Sequence, residues 1–366
     1  MTGVPAGTAR EEAVESPYPG ARPAMNSVIS PAPRDAWDEV FQADPFALET
    51  QSPAWTDAMC DGGDYHDVSR LYDIGGRVMV LPMLRRRAGG IVAIDAANPL
   101  QCGAGGLLAP GGPTPADTTA VFADLARRRV VSQTVWPNPL LAPQWAPSVP
   151  STATVVPRLG HMLDLDGGFD NVWAKRFEGS ARTGARKAER YGGEVECDTT
   201  GRLVPELYEM LENAVSRWAR LQHEPRWLAA RRRRSRDPVE KFQAVARHLG
   251  DRCRVWVARV EGRPAACMLV LLGRNAYDFR AAMNEDLKGY RAQDLIERMS
   301  VEDACKAGCR WYYMGDSGRS ESLSRYKEQF GAQRHHYAEY RLERLPISSS
   351  ETAIKSLVKK AIRFRD

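Results

Sequence analysis

Hydrophobic and polar positions follow two periods along this chain, a period of two that indicates strands and a period near 3.6 that indicates helices. In the first half, short β-branched runs separated by turn residues predict strands, and an amphipathic stretch predicts a helix. The predicted strands span residues 77–84, 90–94, 130–136 and 155–165, and the helix spans 116–129. The triplet of arginines at 85–87 is read as a basic turn between the first two strands.

The second half has a denser series of the same signals. It opens with a helix that carries Arg182, Arg186 and Arg190, and a long amphipathic helix follows at 203–219. Three antiparallel strands, a helix, a strand, a short helix and a last strand are then predicted at 254–260, 265–272, 275–281, 292–307, 311–314, 321–330 and 335–343. The change between the halves lies near residue 170, so the pattern predicts an α/β (α+β) protein with two lobes of similar size.

The helix at 321–330 carries one charge on the edge of its apolar side. Leu323, Tyr326 and Phe330 form an apolar stripe at helical spacing, and Lys327 lies beside it. A desolvated ammonium next to a cleft can stabilise a developing oxyanion, which makes Lys327 a candidate catalytic residue. The alternative is that Lys327 lays its stem along Phe330 and keeps its ammonium in water.

Composition limits the classes of protein to which this chain can belong. The 366 residues include 43% hydrophobic residues, enough for two domains. The Pro-rich residues 1–34 predict a disordered leader, followed by lobes at 35–170 and 171–345 and a basic tail at 346–366. Seven scattered cysteines without CxxC pairs predict neither disulfides nor a metal site and fit a cytoplasmic protein. No apolar stretch is long enough to span a membrane.

Basic residues cluster in two places despite a net charge of only +5. Arg182, Arg186 and Arg190 recur every four residues, which would place three guanidinium groups on one helix face where a phosphate could bind. A second cluster lies further along the chain and has the composition of a phosphate-backbone contact surface: Arg226, Arg231, Arg232, Arg233, Arg234 and Arg236. Each cluster can also be read as an ordinary solvated face or loop.

Two stretches resemble one known family. The first is Leu323-x-x-Tyr326-Lys327-x-x-Phe330-Gly331-Ala332, preceded by the strand-like stretch at 311–316. The second runs from His161 to Phe169 and continues through Trp173 and the Arg182-x-x-x-Arg186 pair. Both resemble the Fem-like branch of the GNAT acyltransferase superfamily, whose members form amide bonds, and the resemblance covers roughly residues 35–345.

The resemblance implies a twinned GNAT-like fold, each lobe with a mixed, mostly antiparallel sheet flanked by helices. It implies that Tyr326 and Lys327 lie at the reacting carbonyl, with the lysine stabilising the tetrahedral intermediate. Tyr326 stands where the family usually has Phe. Candidate substrate-binding residues are Asp316, Arg182, Arg186, Lys288 and Arg291. In this context the arginines at 226–236 become the expected contact for the acceptor end of an aminoacyl-tRNA.

The donor remains open between two co-substrates. The loop at 284–292 departs from the Gln/Arg-x-x-Gly-x-Gly/Ala turn that grips coenzyme A in GNAT enzymes, and its Glu285-Asp286 pair would repel a pyrophosphate. This favours an aminoacyl-tRNA donor with no bound cofactor, transferring to the amine of a peptide or small molecule. An acyl-CoA-dependent N-acyltransferase is the first alternative, and Lys288 and Arg291 keep it open. A non-catalytic module that binds nucleic acid or a polyanion is the second.

Overall fold

The computed structural model describes residues 25–88, 92–99 and 102–345. The first part of the described chain contains eight strands and four helices. In chain order these are β1 Met25–Ile29, α1 Arg34–Ala43, α2 Pro53–Asp61, β2 His66–Asp67, β3 Arg70–Ile74, β4 Arg77–Leu81, β5 Leu84–Ala88, β6 Val92–Ala96, α3 Pro115–Arg127, β7 Ser132–Val135, α4 Ala142–Trp145 and β8 Thr154–Asp164.

The second part continues with six more strands and seven helices. They are α5 Gly168–Lys175, α6 Gly179–Arg190, β9 Glu194–Asp198, α7 Val204–Leu221, α8 Arg226–Arg236, α9 Val239–Leu249, β10 Cys253–Val260, β11 Arg263–Leu272, β12 Ala276–Met283, α10 Ala292–Lys306, β13 Trp311–Asp316, α11 Glu321–Gln329 and β14 Gln333–Glu343. The predicted succession from β10 to β14 is present, with ends that differ by one to a few residues.

One eleven-stranded sheet runs through the described residues in the order β2-β5-β6-β7-β14-β8-β13-β12-β11-β10-β9, and β1, β3 and β4 form a second, small sheet. The last strand, β14, lies in the middle of the large sheet, antiparallel to β8 from Gln333 opposite Met162 to Arg341 opposite Thr154. It also pairs with β7. A strand from the end of the chain thus joins both parts into one sheet, and the division near residue 170 stays a prediction.

Helices cover both faces of the second half of this sheet. One face packs against α2, α7 and α9 through residues such as Val255, Leu269 and Phe279. The other packs against α5, α6, α10 and α11 through residues such as Met268, Tyr312 and Phe330. β11 is buried from Ala265 onwards because it lies between these two layers, which explains its nearly continuous apolar run.

Two sequence predictions differ from the structure. The arginines at 85–87 are not a turn, because β5 includes them and pairs with β6. The predicted leader is too long, because β1 pairs antiparallel with β3 and places residues 25–29 in the fold. Residues 1–24 of the leader and the basic tail at 346–366 lie outside the described residues. None of the described helices combines the length and apolar character needed to cross a bilayer.

Candidate active site

The candidate site lies where two parallel strands of the large sheet stop pairing. β12 and β13 pair only at Ala276 with Tyr312 and at Tyr277 with Tyr313. The residues that follow, Asp278 on β12 and Gly315 on β13, therefore flank an interruption in the sheet. Gly315 has φ of +72°, and a Cβ atom there would lie 3.8 Å from Lys327 Nζ and 3.7 Å from the Asp278 carbonyl oxygen. These are ordinary contact distances, so it is the positive φ that favours glycine at this position.

Lys327 points into the protein. Its residue is only 5% exposed, and its Nζ donates a hydrogen bond of 2.8 Å to the Asp316 carbonyl oxygen. The buried residues of α11 are Ser324 and Lys327, whereas Leu323 is 39% exposed. The predicted apolar stripe is thus wrong at its first residue. The alternative in which Lys327 keeps its ammonium in water is also wrong, because the ammonium is buried.

Carboxyl groups surround this ammonium from three elements. Burial lowers the pKa of Lys327, while Asp278, Asp316 and Glu297 act to raise it. Burial raises the pKa of Asp278 to about 6 against the opposing effect of Lys327, and burial also raises that of Glu297 well above its usual value. The site therefore holds one ammonium among acids that burial favours in the protonated form.

Asp316 anchors the end of β13. Its Oδ1 accepts hydrogen bonds from the hydroxyls of Tyr313, at 2.8 Å, and Tyr337, at 2.7 Å. Burial raises the pKa of Asp316, and these two hydrogen bonds oppose the shift. The side chain is thus held by β13 and β14, while its backbone carbonyl orients Lys327.

Tyr326 lies on the same helix as Lys327. Its ring packs against Phe330 with 5.2 Å between centroids, and its hydroxyl is buried without a hydrogen-bond partner among the described residues. Burial raises its pKa well above the usual value, and the nearby Glu297, Asp294 and Asp278 add to the shift. The two predicted catalytic residues are therefore next to the same acidic groups.

Three residues of this site were missed in the sequence. Asp278 is a charge between Tyr277 and Phe279 on a predicted strand, and that is the signal that would have found it. Glu297 stands beside Arg298 on a predicted helix and carries no such signal. His161 on β8 is fully buried. Burial, with Lys327 nearby, lowers its pKa to about 4, so it is neutral at physiological pH.

Arg182 is used by the fold. Its Nη1 donates to the carbonyl oxygens of Phe177 at 2.5 Å, Trp173 at 3.2 Å and Ala174 at 3.3 Å, which satisfies the carboxyl end of α5. Arg186 is exposed and lies over the Trp173 ring, 5.4 Å from its centroid. The three-arginine row predicted for phosphate is therefore not available, and Arg182 leaves the set of candidate substrate-binding residues.

The two basic residues before α10 have different surroundings. Lys288 is exposed and pairs with Glu285 at 2.6 Å. Arg291 has φ of +60° and donates from Nε to Asp294 at 2.6 Å. A Cβ atom at Gly184 of α6 would lie 1.9 Å from Asp294 Oδ2, so α6 covers this pair closely. Of the two, only Arg291 belongs to the surroundings of Tyr326.

The arginines at 226–236 form a helix, α8, and not a loop. Arg233 is 5% exposed and lies 4.8 Å above the Tyr208 ring, so it cannot be part of a tRNA contact surface. Arg232 pairs with Glu224 at 2.8 Å and Arg236 with Asp237 at 3.1 Å. Three arginines of the predicted set face solvent and have no ion pair among the described residues. They are Arg226, Arg231 and Arg234. Beside them Trp227 is 68% exposed.

Comparison with known proteins gives a family match over the part of the chain that carries these residues. Residues 175–328 match the family described as the acetyltransferase (GNAT) domain. This part of the chain is similar to a GNAT domain. The match includes β12, β13, Tyr326 and Lys327, and it confirms the prediction of an acyltransferase of this superfamily. A search of curated proteins finds no match.

Solved structures show the same fold at low identity. FemX is 11% identical, with a TM-score of 0.61, over 87% of this chain and 97% of FemX. L-PGS from Bacillus licheniformis is 10% identical, with a TM-score of 0.51, over 90% and 97%. A conserved protein of unknown function from Bacteroides thetaiotaomicron is 9% identical, with a TM-score of 0.53, over 86% and 99%. The predicted mixed α/β, Fem-like fold is confirmed.

Proposed function

We propose that this protein transfers an aminoacyl group from aminoacyl-tRNA to the amine of a peptide or small-molecule acceptor. The observation that carries the proposal is the inward ammonium of Lys327, bonded to the Asp316 carbonyl where β12 and β13 stop pairing. An acyl carbonyl that enters this interruption would meet a buried positive charge. A buried charge stabilises an oxyanion more strongly than an exposed one, because water does not screen it.

In the proposed reaction the acceptor nitrogen attacks the carbonyl carbon of the aminoacyl ester. The carbonyl oxygen takes up negative charge and is stabilised by Lys327. The ester C–O bond then breaks, an amide bond remains, and the ribose oxygen of the tRNA leaves as a hydroxyl. The proton that the acceptor amine loses balances the proton that this hydroxyl gains, so no metal or redox cofactor is required.

Two features support tRNA over acyl-CoA as the donor. Glu285 and Asp286 open the turn at Glu285–Tyr290 that precedes α10. Glu285 is paired with Lys288 and Arg217, but Asp286 is exposed and places a negative charge where a coenzyme A pyrophosphate would need positive or neutral surroundings. On α8, Arg226, Arg231 and Arg234 face solvent beside Trp227, and such a surface combines phosphate contacts with a ring on which a base can stack. L-PGS and FemX have the same fold, but their low identity leaves the donor of this chain to experiment.

The direct test incubates the purified protein and a panel of amines with either a pool of charged tRNA or a pool of acyl-CoA, followed by mass analysis of the amines. We expect a mass increase equal to an aminoacyl residue in the tRNA arm only. Acylation in the acyl-CoA arm alone would replace the proposed donor. Binding of tRNA with no product in either arm would favour the non-catalytic binding module.

The tRNA surface has its own test. Neutralised phosphates release counterions, so affinity should fall steeply with salt. We expect the triple change Arg226→Ser, Arg231→Ser and Arg234→Ser to reduce this slope by about 3, since each lost phosphate contact removes about one unit. Arg127→Ser, at an exposed position on α3, is the control. An unchanged slope in the triple variant would exclude α8 as the tRNA contact.

A further inference from the structure

Four buried polar atoms around Lys327 have no hydrogen-bond partner among the described residues. They are Asp278 Oδ1, Glu297 Oε1, Asp316 Oδ2 and the Tyr326 hydroxyl. A buried polar atom left without a partner is unfavourable, because it has given up its hydrogen bonds to water. Native proteins therefore satisfy such atoms with protein groups, water or ligands. Four of them at one site indicate that something bound there completes the hydrogen bonding.

The chemistry of these atoms specifies what they would bind. Three of the four are carboxyl oxygens, and a cation beside them opposes the effect of burial and favours the ionised form, which accepts hydrogen bonds. Glu297 is 1% exposed and comes from α10, a different element from Asp278 on β12. Its carboxyl is bonded by the Tyr312 hydroxyl, and its Oε1 has no partner among the described residues. Glu297 and Asp278 also act electrostatically on the Tyr326 hydroxyl. The atoms without partners are therefore mainly hydrogen-bond acceptors. A ligand that donates hydrogen bonds would satisfy them.

The positive groups that face this cluster do not meet that capacity. Lys327 gives a hydrogen bond to the Asp316 backbone carbonyl. Arg291 pairs with Asp294, Arg158 bonds Glu339, and Arg280 bonds Asp237 on the other face of the sheet. His161 is neutral, because burial and Lys327 lower its pKa. A ligand that carries one more positive charge would balance the cluster.

An aminoacyl group brings such a charge to the right place. Its amino nitrogen is bonded to the carbon next to the reacting carbonyl, so it lies within about 3 to 4 Å of the carbonyl oxygen. If Lys327 holds that oxygen, the α-ammonium must lie beside Lys327, among the acids that act on it. A plain acyl group such as acetyl has only hydrogen at this position and would leave the carboxyl oxygens unpaired.

We propose that the unpartnered carboxyl oxygens of Asp278 and Glu297 bind the α-ammonium of the aminoacyl group and thereby select aminoacyl over plain acyl donors. This inference rests on the proposed aminoacyl transfer. It assigns Asp278 and Glu297 to donor recognition, separately from the oxyanion role of Lys327.

The test replaces the α-ammonium by a hydroxyl of similar size. The amino acid identified by the mass analysis above is charged on tRNA, and the same tRNA is charged with the corresponding α-hydroxy acid. We expect kcat/KM of the wild-type protein to be about 10- to 150-fold lower for the hydroxyacyl donor, which is the loss of one hydrogen bond to a charged group. Equal kcat/KM for the two donors would overturn the inference while leaving aminoacyl transfer intact.

A variant of Glu297 tests whether this residue causes the preference for the aminoacyl donor. Glu297→Gln should reduce the preference for the aminoacyl donor, because the amide keeps the shape of the side chain but not its charge. Glu302→Gln on the same helix, at a residue paired with Lys306 on the surface, should leave the preference unchanged. A preference that survives intact in the Glu297 variant overturns the assignment of that residue. Failure of every charged tRNA to donate overturns the proposed function and this inference together.

Discussion

Lys241 and Lys327 are both buried lysines in the second half of the chain, and their surroundings differ. Lys241 Nζ contacts Asp237 Oδ1 at 3.3 Å and Cys102 Sγ at 3.4 Å and also donates to the Arg236 carbonyl. Asp237 in turn contacts Arg280 at 3.3 Å. Around Lys327, by contrast, acidic oxygens have no partner within the part of the chain that the structure describes. One cluster is complete within the fold, and the other is not.

The pKa values of the two clusters shift in opposite directions for this reason. Burial alone would lower the pKa of Lys241, but Cys102 and Asp237 outweigh it and the pKa is raised. Burial alone would raise the pKa of Asp237, but Arg280, Lys241 and Arg236 lower it to about 2. At Lys327 burial prevails and the pKa falls. A satisfied buried charge cluster stabilises a structure, whereas unsatisfied groups are typical of functional sites.

The largest expected effect is at Lys327. Lys327→Met keeps an apolar side chain on the buried side of α11 but removes the charge, so turnover should fall about 10²- to 10³-fold, equivalent to about 3 to 4 kcal/mol in the barrier. The measurement is kcat with the identified donor and acceptor. Arg325→Met, an exposed residue on the same helix, is the control and should retain wild-type kcat. Near-wild-type turnover of the Lys327 variant would remove this residue from the mechanism.

At Lys241 the corresponding change should act on stability. Lys241→Met takes one partner from the buried Asp237, so the free energy of unfolding should fall by about 3 kcal/mol, the lower end for breaking a buried ion pair because two arginines remain. Chemical denaturation measures this, and kcat per folded molecule should stay unchanged. A Lys241 variant that is fully stable yet inactive would reverse the comparison between the two clusters.

Asp278 and Asp237 should change the stability of the protein with opposite pH dependence. The folded pKa of Asp278 is raised from 3.8 to about 6, so its contribution to stability is complete below about pH 4 and is lost as the pH rises through 6. Asp278→Asn should lack this loss, which amounts to about 2 to 3 kcal/mol. Melting curves of variant and wild type across this range provide the measurement.

Asp237 supplies the opposite control. Its folded pKa is lowered to about 2, so its contribution is complete above the unfolded pKa and is lost as the pH falls through 2. Asp237→Asn should therefore destabilise the protein at neutral pH. If Asp278→Asn and Asp237→Asn change stability with the same pH dependence, the two clusters are not distinct in the way the contacts indicate.

The smallest predicted effect is a shift in a pH profile. The Asp278 carboxylate raises the pKa of Lys327, so in Asp278→Asn the lysine should lose its proton at lower pH. The basic limb of kcat against pH should then move to lower pH, because the neutral amine no longer stabilises the oxyanion. A basic limb that stays in place in this variant would mean that it reports a group other than Lys327.

The order of elements could be predicted from the sequence because it depends on local periodicity. The strand predicted at 254–260 is β10 at Cys253–Val260, and the strand predicted at 311–314 is β13 at Trp311–Asp316. The closing motif also predicted Tyr326 and Lys327 as candidate catalytic residues, because their spacing on a short helix is set by neighbouring residues. The acyltransferase class and the Fem-like fold followed from that motif and this order.

Properties that depend on distant residues were decided only by the tertiary structure. Arg182 and Arg186 look equivalent in sequence, but only Arg182 meets the carbonyl groups that end α5. Arg233 looks like its exposed neighbours until Tyr208 of α7 covers it. Burial and pairing depend on which surfaces pack together, and side-chain periodicity does not encode this for charged residues.

In the candidate site, too, some features follow from the local sequence and others only from the tertiary structure. The sequence by itself determined that a lysine stands on the edge of an apolar helix face after a strand that ends in Gly315-Asp316. The tertiary structure decided that this lysine turns inward and that Asp278 and Glu297 act on it, since strand pairing and the packing of α10 bring these acids together. A charge among apolar residues is visible in a sequence, but its partner depends on contacts between elements far apart in the chain.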